Sequence, residues 1–274
     1  MSIDADPIRA QIYPGRYDLL PNEIESLTTQ LLSDNPPNPD YQFVCYQLNG
    51  ADKLSDIGRY VERIVFEDSF EGNDAAFMQK EYGPYEAASR FFVTVDTQKS
   101  RPVGVLRVIT PSAAGLKTLK DFEQVHPIHA HHVYDHHAIA SDEPVWDIGT
   151  VAVLPEYRDG SGKGSAASLQ LFRAVYRDAM ESDIKHLVSI IDKKAHAKLT
   201  GYLGVPFVAL AGSPPFAYLG SKKSRAVYGR ADEFYEKMTA LPRGPLGQIR
   251  RRLAKAALQI LVYGSRDDTI MPTK

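Results

Sequence analysis

Val153-Leu-Pro-Glu-Tyr-Arg158-Asp-Gly160-Ser-Gly162-Lys-Gly164-Ser165 is the stretch on which the reading of this chain turns. Just upstream, Val145-Trp-Asp-Ile-Gly-Thr-Val-Ala-Val-Leu154 is rich in β-branched residues and bounded by Pro144 and Pro155, which predicts a strand. Just downstream, Ala166, Leu169, Phe172, Val175 or Tyr176, and Ala179 recur at helical spacing to about Met180. Glycine at every second position of the connection lets the backbone turn tightly and bares several amide N–H groups. The first turn of the next helix adds unpaired amides and a positive dipole end, so the connection is suited to an anion. Arg158 and Lys163 would add charge-assisted bonds to phosphate oxygens. Gly160, Gly162 and Gly164 fit neither the P-loop spacing nor the G-x-G-x-x-G dinucleotide fingerprint.

Working outward, Leu187–Ile191 predicts a second strand, closed by Asp192 and the basic pair Lys193-Lys194. A short helix to about Leu203 and a strand at Phe207–Leu210 would complete a β-α-β-α-β series. On the other side, Phe91–Val95 and Val103–Ile109 flank a turn containing Asp96, Lys99, Ser100 and Pro102, which predicts an antiparallel hairpin. Leu54, Ile57, Val61, Ile64 and Val65 share one helix face, and Tyr41–Leu48 reads as a strand closed by Asn49-Gly50. Residues 111–142 have no clear period and predict an irregular insertion. Residues 1–40 read as a turn-rich N-terminal extension, 41–240 as the main domain, and 241–274 as a basic amphipathic helix with a tail. The class is α/β of mixed type, antiparallel early and with crossovers late.

The 274 residues carry 32 Lys and Arg against 34 Asp and Glu, a net charge of −2 that argues against general nucleic-acid binding. Cys45 is the one cysteine, so neither an intrachain disulfide nor a thiolate zinc site is available. No stretch approaches the roughly 20 apolar residues of a spanning helix, and the acidic start lacks a secretory core. The expected location is cytoplasmic.

At the Gly-rich connection the sequence resembles motif A of the GNAT superfamily of N-acyltransferases: a strand ending in Val-x-Pro, then Arg or Gln, two residues, Gly, one residue, and Gly or Ala. Val153, Pro155, Arg158, Gly162 and Gly164 match, with one extra residue before Gly162, so that Asp159 takes the Arg/Gln slot if the glycine spacing is kept. The helix after Asp192 resembles the family's second signature at Ala195, Leu199, Leu203 and Gly204. Thr200 stands where many members carry a tyrosine acid, and Tyr202 lies two residues on. The resemblance spans roughly residues 50–235. It implies a mainly antiparallel central sheet with helices on its flanks, in which the strand before the connection splays from the strand at 187–191. It also implies an acyl-CoA or acyl-pantetheine donor lying in that gap. The arm would pair with backbone groups of Val151, Ala152 and Val153, and its phosphates would lie against Arg158, Asp159, Gly160, Ser161, Gly162, Lys163, Gly164 and Ser165. Gly104–Pro111, Leu116–Phe122 and Val145–Ile148 are also similar to segments of the acyl-homoserine-lactone synthases, although Gly149, Thr150 and Val151 stand where those have Ser-Arg-Phe. That second likeness raises acyl carrier protein as a donor.

The chemistry so implied is attack of an amine on a thioester, which needs the reactants held together, donors for the developing oxyanion and a proton acceptor. The N–H of Val151 or Val153 is the candidate donor; Asp147 and Glu143 are the candidate bases, and Tyr202 the candidate acid. For Asp147 a structural role at a turn or against an arginine stands beside the catalytic one. His126, His129, His131, His132, His136 and His137 crowd a short run with Asp135, a composition open to zinc or nickel but more often a polar loop; no metal is expected, and one of these histidines is an alternative acceptor-side base. Leu246, Ile249, Leu253, Ala256 and Ile260 share a helix face with Arg250, Arg251, Arg252 and Lys255 on the other side, suited to packing on the domain, to an acidic carrier protein or to a membrane surface. The leading expectation is an N-acyltransferase with a small-molecule amine as acceptor. An autoinducer-synthase-like enzyme using S-adenosylmethionine and a non-catalytic CoA- or metal-binding sensor are the alternatives. The acceptor, the acyl length and the oligomeric state stay open.

Overall fold

The computed structural model describes residues 13–158, 163–202, 205–240 and 270–272. Runs of apolar and β-branched residues, buried on both faces along most of β1–β3, build strands β1 (Phe43–Asn49), β2 (Ser89–Asp96), β3 (Arg101–Ile109) and β4 (Val145–Val153). These run antiparallel in the order β1-β2-β3-β4, the hairpin between β2 and β3 being the expected one. Strand β5 (His186–Asp192) pairs parallel with β4, and the crossover between them is the long helix α6 (Lys163–Glu181). Beyond β5 the sheet continues antiparallel through β8 (Ser221–Arg230) to the two-residue β6 (Val208–Ala209), while β7 (Phe216–Tyr218) also pairs with β8. At the far side β9 (Ile270–Pro272) lies parallel to β1. The result is an open, mainly antiparallel sheet of mixed type with helices on both faces.

Helices α1 (Pro21–Asp34) and α2 (Asp56–Ser69) cover one face over β1–β3. Ile24, Leu27, Leu31, Ile57, Val61 and Val65 pack there against Val93, Val95 and Val105. Helix α6 covers the other face. Its buried apolar stripe is Ala167, Leu171, Ala174, Val175 and Ala179; Val175 and Ala179 are as expected, whereas Leu169 and Phe172 are half-buried.

Several elements depart from the sequence reading. The stretch before Asn35 contains helix α1, begun by Pro21 and by Glu23, whose Oε2 accepts from the Leu20 N–H at 2.9 Å; its core contacts were masked by the polar residues between them. Residues 111–142 are not irregular: they hold α4 (Lys117–Val125) and α5 (Ala130–His137), which bury Leu119, Phe122 and Val133 against Val145, Val188, Ala226 and Tyr228. Strand β8 was not foreseen because its first half is Lys and Arg, and it separates β5 from β6. The strand expected at 207–210 shrinks to two residues at the sheet edge and runs antiparallel to β8, so the late series has one parallel pair, not a chain of crossovers. Short helix α3 (Ala75–Tyr82), capped by Asp74 Oδ1 on the Phe77 N–H, fills the space between α2 and α4. The basic amphipathic stretch at 246–260 lies outside the described residues.

A buried ionic cluster ties α2 to the sheet. Arg107 on β3 donates to Glu62 Oε1 and Oε2 at 2.9 and 2.7 Å and to Glu86 Oε1 at 3.3 Å. Arg59 donates to Glu86 Oε2 at 2.8 Å and to Asp56 Oδ1 at 2.6 Å, and Tyr17 donates to Glu86 Oε1 at 2.7 Å. Burial pushes the Glu62 carboxyl up. Burial opposes the charge on Glu86 as well, yet Arg107 and Arg59 together hold its carboxyl below the usual range. Two guanidinium groups thus face three carboxylates with no water between them, and removing one partner strands the others. Arg107→Ala is expected to lower unfolding free energy by about 3–5 kcal/mol, read as a fall in the urea midpoint; an unchanged midpoint would show that the cluster is not load-sharing.

Candidate active site

Strands β4 and β5 pair over only three residues each, Val145–Asp147 with His186–Val188. Beyond them the strands part. The Ser189 hydroxyl, not a backbone amide, donates to the Ile148 carbonyl at 2.8 Å. At Gly149 the register of β4 against β3 then shifts, since Arg107 opposes Thr150 while Val108 opposes Ile148. This is a bulge. Its carbonyl is taken out of the ladder by the Tyr82 hydroxyl, which donates to Gly149 O at 3.2 Å and accepts from Thr150 Oγ1 at 3.3 Å. A side chain at 149 would crowd Ile109 Cδ1 at 3.3 Å and the Arg107 Cδ at 3.5 Å.

Past the bulge, alternation of the antiparallel ladder decides which groups are free. The Leu154 N–H donates to Val103 O at 2.9 Å, so Leu154 points its peptide groups at β3. Ala152, two residues back, does the same, opposite Val105. Val151 and Val153 point theirs the other way, into the gap beside β5, and Val151 is 40% exposed in the middle of the sheet. Of the three backbone positions expected at the donor, Ala152 has its peptide groups turned to the β3 ladder. The Val153 carbonyl accepts from Arg158 Nε at 2.6 Å, which leaves the Val153 N–H and both groups of Val151 facing the gap. Arg158 Nη1 lies 3.8 Å from Asp68 Oδ2, so this guanidinium braces the end of β4 as well as standing at the start of the Gly-rich connection. Asp159, Gly160, Ser161 and Gly162 lie outside the described residues; Lys163, Gly164 and Ser165 open α6, with their side chains outside the described set.

Asp147 is the last β4 residue paired with β5, and it is fully buried. Its Oδ2 accepts from the Thr118 N–H at 2.6 Å and its Oδ1 from the Thr118 hydroxyl at 2.7 Å. Burial pushes this carboxyl up to about 6, against the pull of the Thr118 bonds. It lines a small cavity of about 10 Å³, room for one water, with Lys117, Thr118, Gly149, Ile190 and Tyr218. Lys117 is buried between Glu81 Oε2 at 2.8 Å and Asp121 Oδ2 at 2.6 Å, and Tyr218 donates to the same Asp121 oxygen at 2.5 Å. Burial disfavours the Lys117 ammonium, but Tyr82, Asp121 and Glu81 around it hold it charged. Thr118, Lys117, Tyr218, Tyr82 and Ser189 were not singled out from sequence. The first two lie in Leu116–Phe122, the segment similar to the acyl-homoserine-lactone synthases, and the Leu116, Leu119, Phe122 spacing there is that of the helix α4.

Glu143, the other candidate base, is at the closed end of the fork. It accepts from the Ala140 N–H at 3.1 Å, from Lys185 Nζ at 3.0 Å and sits 3.1 Å from His186 Nε2, which together hold its carboxyl down to about 2. Four residues separate it from Asp147, about 13 Å of strand. It therefore anchors the paired ends of β4 and β5, a structural role that stands beside its candidacy as base. Tyr202 ends the wide π-type turn after α7 (Lys193–His196), with its side chain outside the described set. The histidine run divides: His126 sits between the Phe122 and Phe216 rings and His137 stacks on Tyr228 at 4.0 Å while accepting from the Ala211 N–H, whereas the rings of His129, His131 and His132 stack on one another. Burial lowers His137 to about 4. Among the described residues no three His, Cys, Asp or Glu are grouped to hold a metal ion, and no helix is long and apolar enough to cross a membrane.

The charge on Asp147 carries its own stability signature. Its folded carboxyl titrates near 6 against an ordinary 3.8, so folding takes up a proton between those values. The cost of the buried carboxylate is absent below about pH 4 and complete above about pH 6. Asp147→Asn keeps one acceptor and gains one donor for Thr118; it is expected to stabilise the fold by up to about 3 kcal/mol at pH 7.5 and by little at pH 4, measured as melting temperature against pH.

No family model matches the sequence, and neither does any curated protein. Among solved structures the chain is similar to FeeM, an N-acyl amino acid synthase from uncultured soil microbes. The identity is 19% over 71% of this chain and 94% of that one, with a TM-score of 0.51. It is also similar to BjaI, a CoA-dependent acyl-homoserine lactone synthase, at 15% identity over 80% and 89% with a TM-score of 0.49. A GNAT-family protein from Desulfovibrio desulfuricans matches at 16% over 69% and 99% with a TM-score of 0.41. Together with the forked sheet, the first of these likenesses shows that the chain has a GNAT-like fold.

Proposed function

We propose that this chain is an N-acyltransferase that moves an acyl group from acyl-CoA or an acyl carrier protein to the amine of a small molecule. The observation that carries the reading is the fork, where β4 and β5 part beside Asp147 and leave the backbone groups of Val151 and the Val153 N–H facing a gap. A pantetheine arm is an extended diamide, and it can take the place of the missing strand by pairing with those groups. Its phosphates would meet Arg158 and the amides of the connection through Ser165.

With the thioester carbonyl at the fork, the Val151 N–H is placed to stabilise the oxyanion that forms when the amine nitrogen bonds to the carbonyl carbon. Asp147 takes the proton that the nitrogen sheds. The C–S bond then breaks, the thiolate leaves with the electron pair, and Tyr202 is the candidate to protonate it. A carboxyl that titrates near 6 is ionised at neutral pH yet basic enough to share a proton with an amine-derived intermediate. FeeM is an N-acyl amino acid synthase, so amino acids belong in the first acceptor panel beside amines without a carboxylate.

The reading is tested by incubating the protein with acyl-CoA and acyl carrier protein and a panel of primary amines, following thiol release and amide mass. Amide is expected from at least one pair, with kcat falling about 10²–10⁴-fold in Asp147→Asn; no amide from any pair would refute acyl transfer. The kcat/KM profile is expected to fall as pH drops through about 6, because protonated Asp147 cannot accept a proton.

A further inference from the structure

The segment between β3 and β4 does more than cover the sheet. Leu119 and Phe122 anchor α4 in the apolar cluster over β4, β5 and β8, and this packing delivers the first turn of α4 to the fork. There Thr118, itself 3% exposed, meets Asp147 with two donors at once, N–H on Oδ2 and hydroxyl on Oδ1. A carboxylate held at both oxygens cannot swing about its own bond, and the cavity that Asp147 lines opens beside those two contacts. Hydrogen bonds offered to a carboxylate favour its charged form. Main-chain and side-chain donors from one residue also impose a geometry that a lone surface threonine would not.

Resting on the acyltransfer reading above, we infer that Thr118 is a positioning residue for the reaction: its two donors fix the Asp147 carboxylate against the fork and keep it in the proton-accepting form. The other charged and titratable groups facing Asp147 are Lys117 and Asp121 from α4, Tyr218 from β7, and Tyr85 from the 3₁₀ turn Gly83–Ala88, with Glu81 of α3 behind Lys117. Lys117 favours the carboxylate and Asp121 opposes it, and neither touches its oxygens. Thr118 supplies the direct contacts, so its hydroxyl should set where the acid limb of activity falls.

Thr118→Val keeps the shape and the N–H and removes one donor. The acid limb of kcat/KM is expected to move up by about one pH unit, with activity well above the limb retained. Thr118→Ser should return the limb to its wild-type position. A purely structural contact would lower melting temperature without moving the limb. Should Thr118→Val fold poorly, the carboxyl carbon resonance of Asp147 in Thr118→Ala reads the same upward shift without turnover. An unmoved limb or resonance, in protein whose Asp147→Asn form is inactive, overturns the role of Thr118 and leaves the acyltransfer reading standing. A limb that persists in active Asp147→Asn overturns both.

Discussion

The structure depends on two neighbouring parallel strands being allowed to pair for three residues and then prevented from pairing further. Ser189 takes the Ile148 carbonyl, Tyr82 takes the Gly149 carbonyl, and the bulge rotates the remainder of β4 out of step with β5. An unpaired sheet edge in the middle of a domain is costly in backbone hydrogen bonds. It persists here because both sides of the opening are held by other interactions: the ladder to β3 on one side and β8 along the whole of β5 on the other.

The buried charges belong to the same design. Arg107, the β3 residue at the register shift, is fixed by Glu62 and Glu86 beneath α2, and its guanidinium lies 4.3 Å from the centre of the Tyr82 ring. Tyr82 in turn reaches the bulge, and its ring faces the Lys117 ammonium at 5.3 Å. A continuous set of contacts therefore runs from the α2 cluster through the bulge to the cavity where Asp147 and Thr118 meet. The α2 cluster fixes β3, β3 fixes where β4 bulges, and the bulge decides which amides face the gap.

Much of this was legible in the residues. The β-branched run at 145–154, the glycines after it and the apolar period of α2 locate the fork and its helices, and Asp147 stands out as a carboxylate on the central strand. What sequence could not carry was pairing. The parity that turns Ala152 toward β3 and Val151 toward the gap depends on a one-residue bulge, for which the lone Gly149 inside the strand is the one mark in the sequence. Glu143 and Asp147 look alike in sequence, and only the partners Lys185 and His186 show that Glu143 ties the closed end. The histidine run hid α5 because its apolar residues are few, and β8 was hidden by lysines that face solvent in its first half.

The most direct test of the fork as a donor site is amide hydrogen exchange along β4, compared without ligand and with a non-hydrolysable acyl-pantetheine thioester analogue. Binding in the fork predicts slowed exchange at Val151 and Val153 and no change at Ala152, whose N–H is already held by β3. Unchanged exchange at Val151 and Val153 under saturating analogue, or protection confined to sites away from β4 and β5, would contradict it.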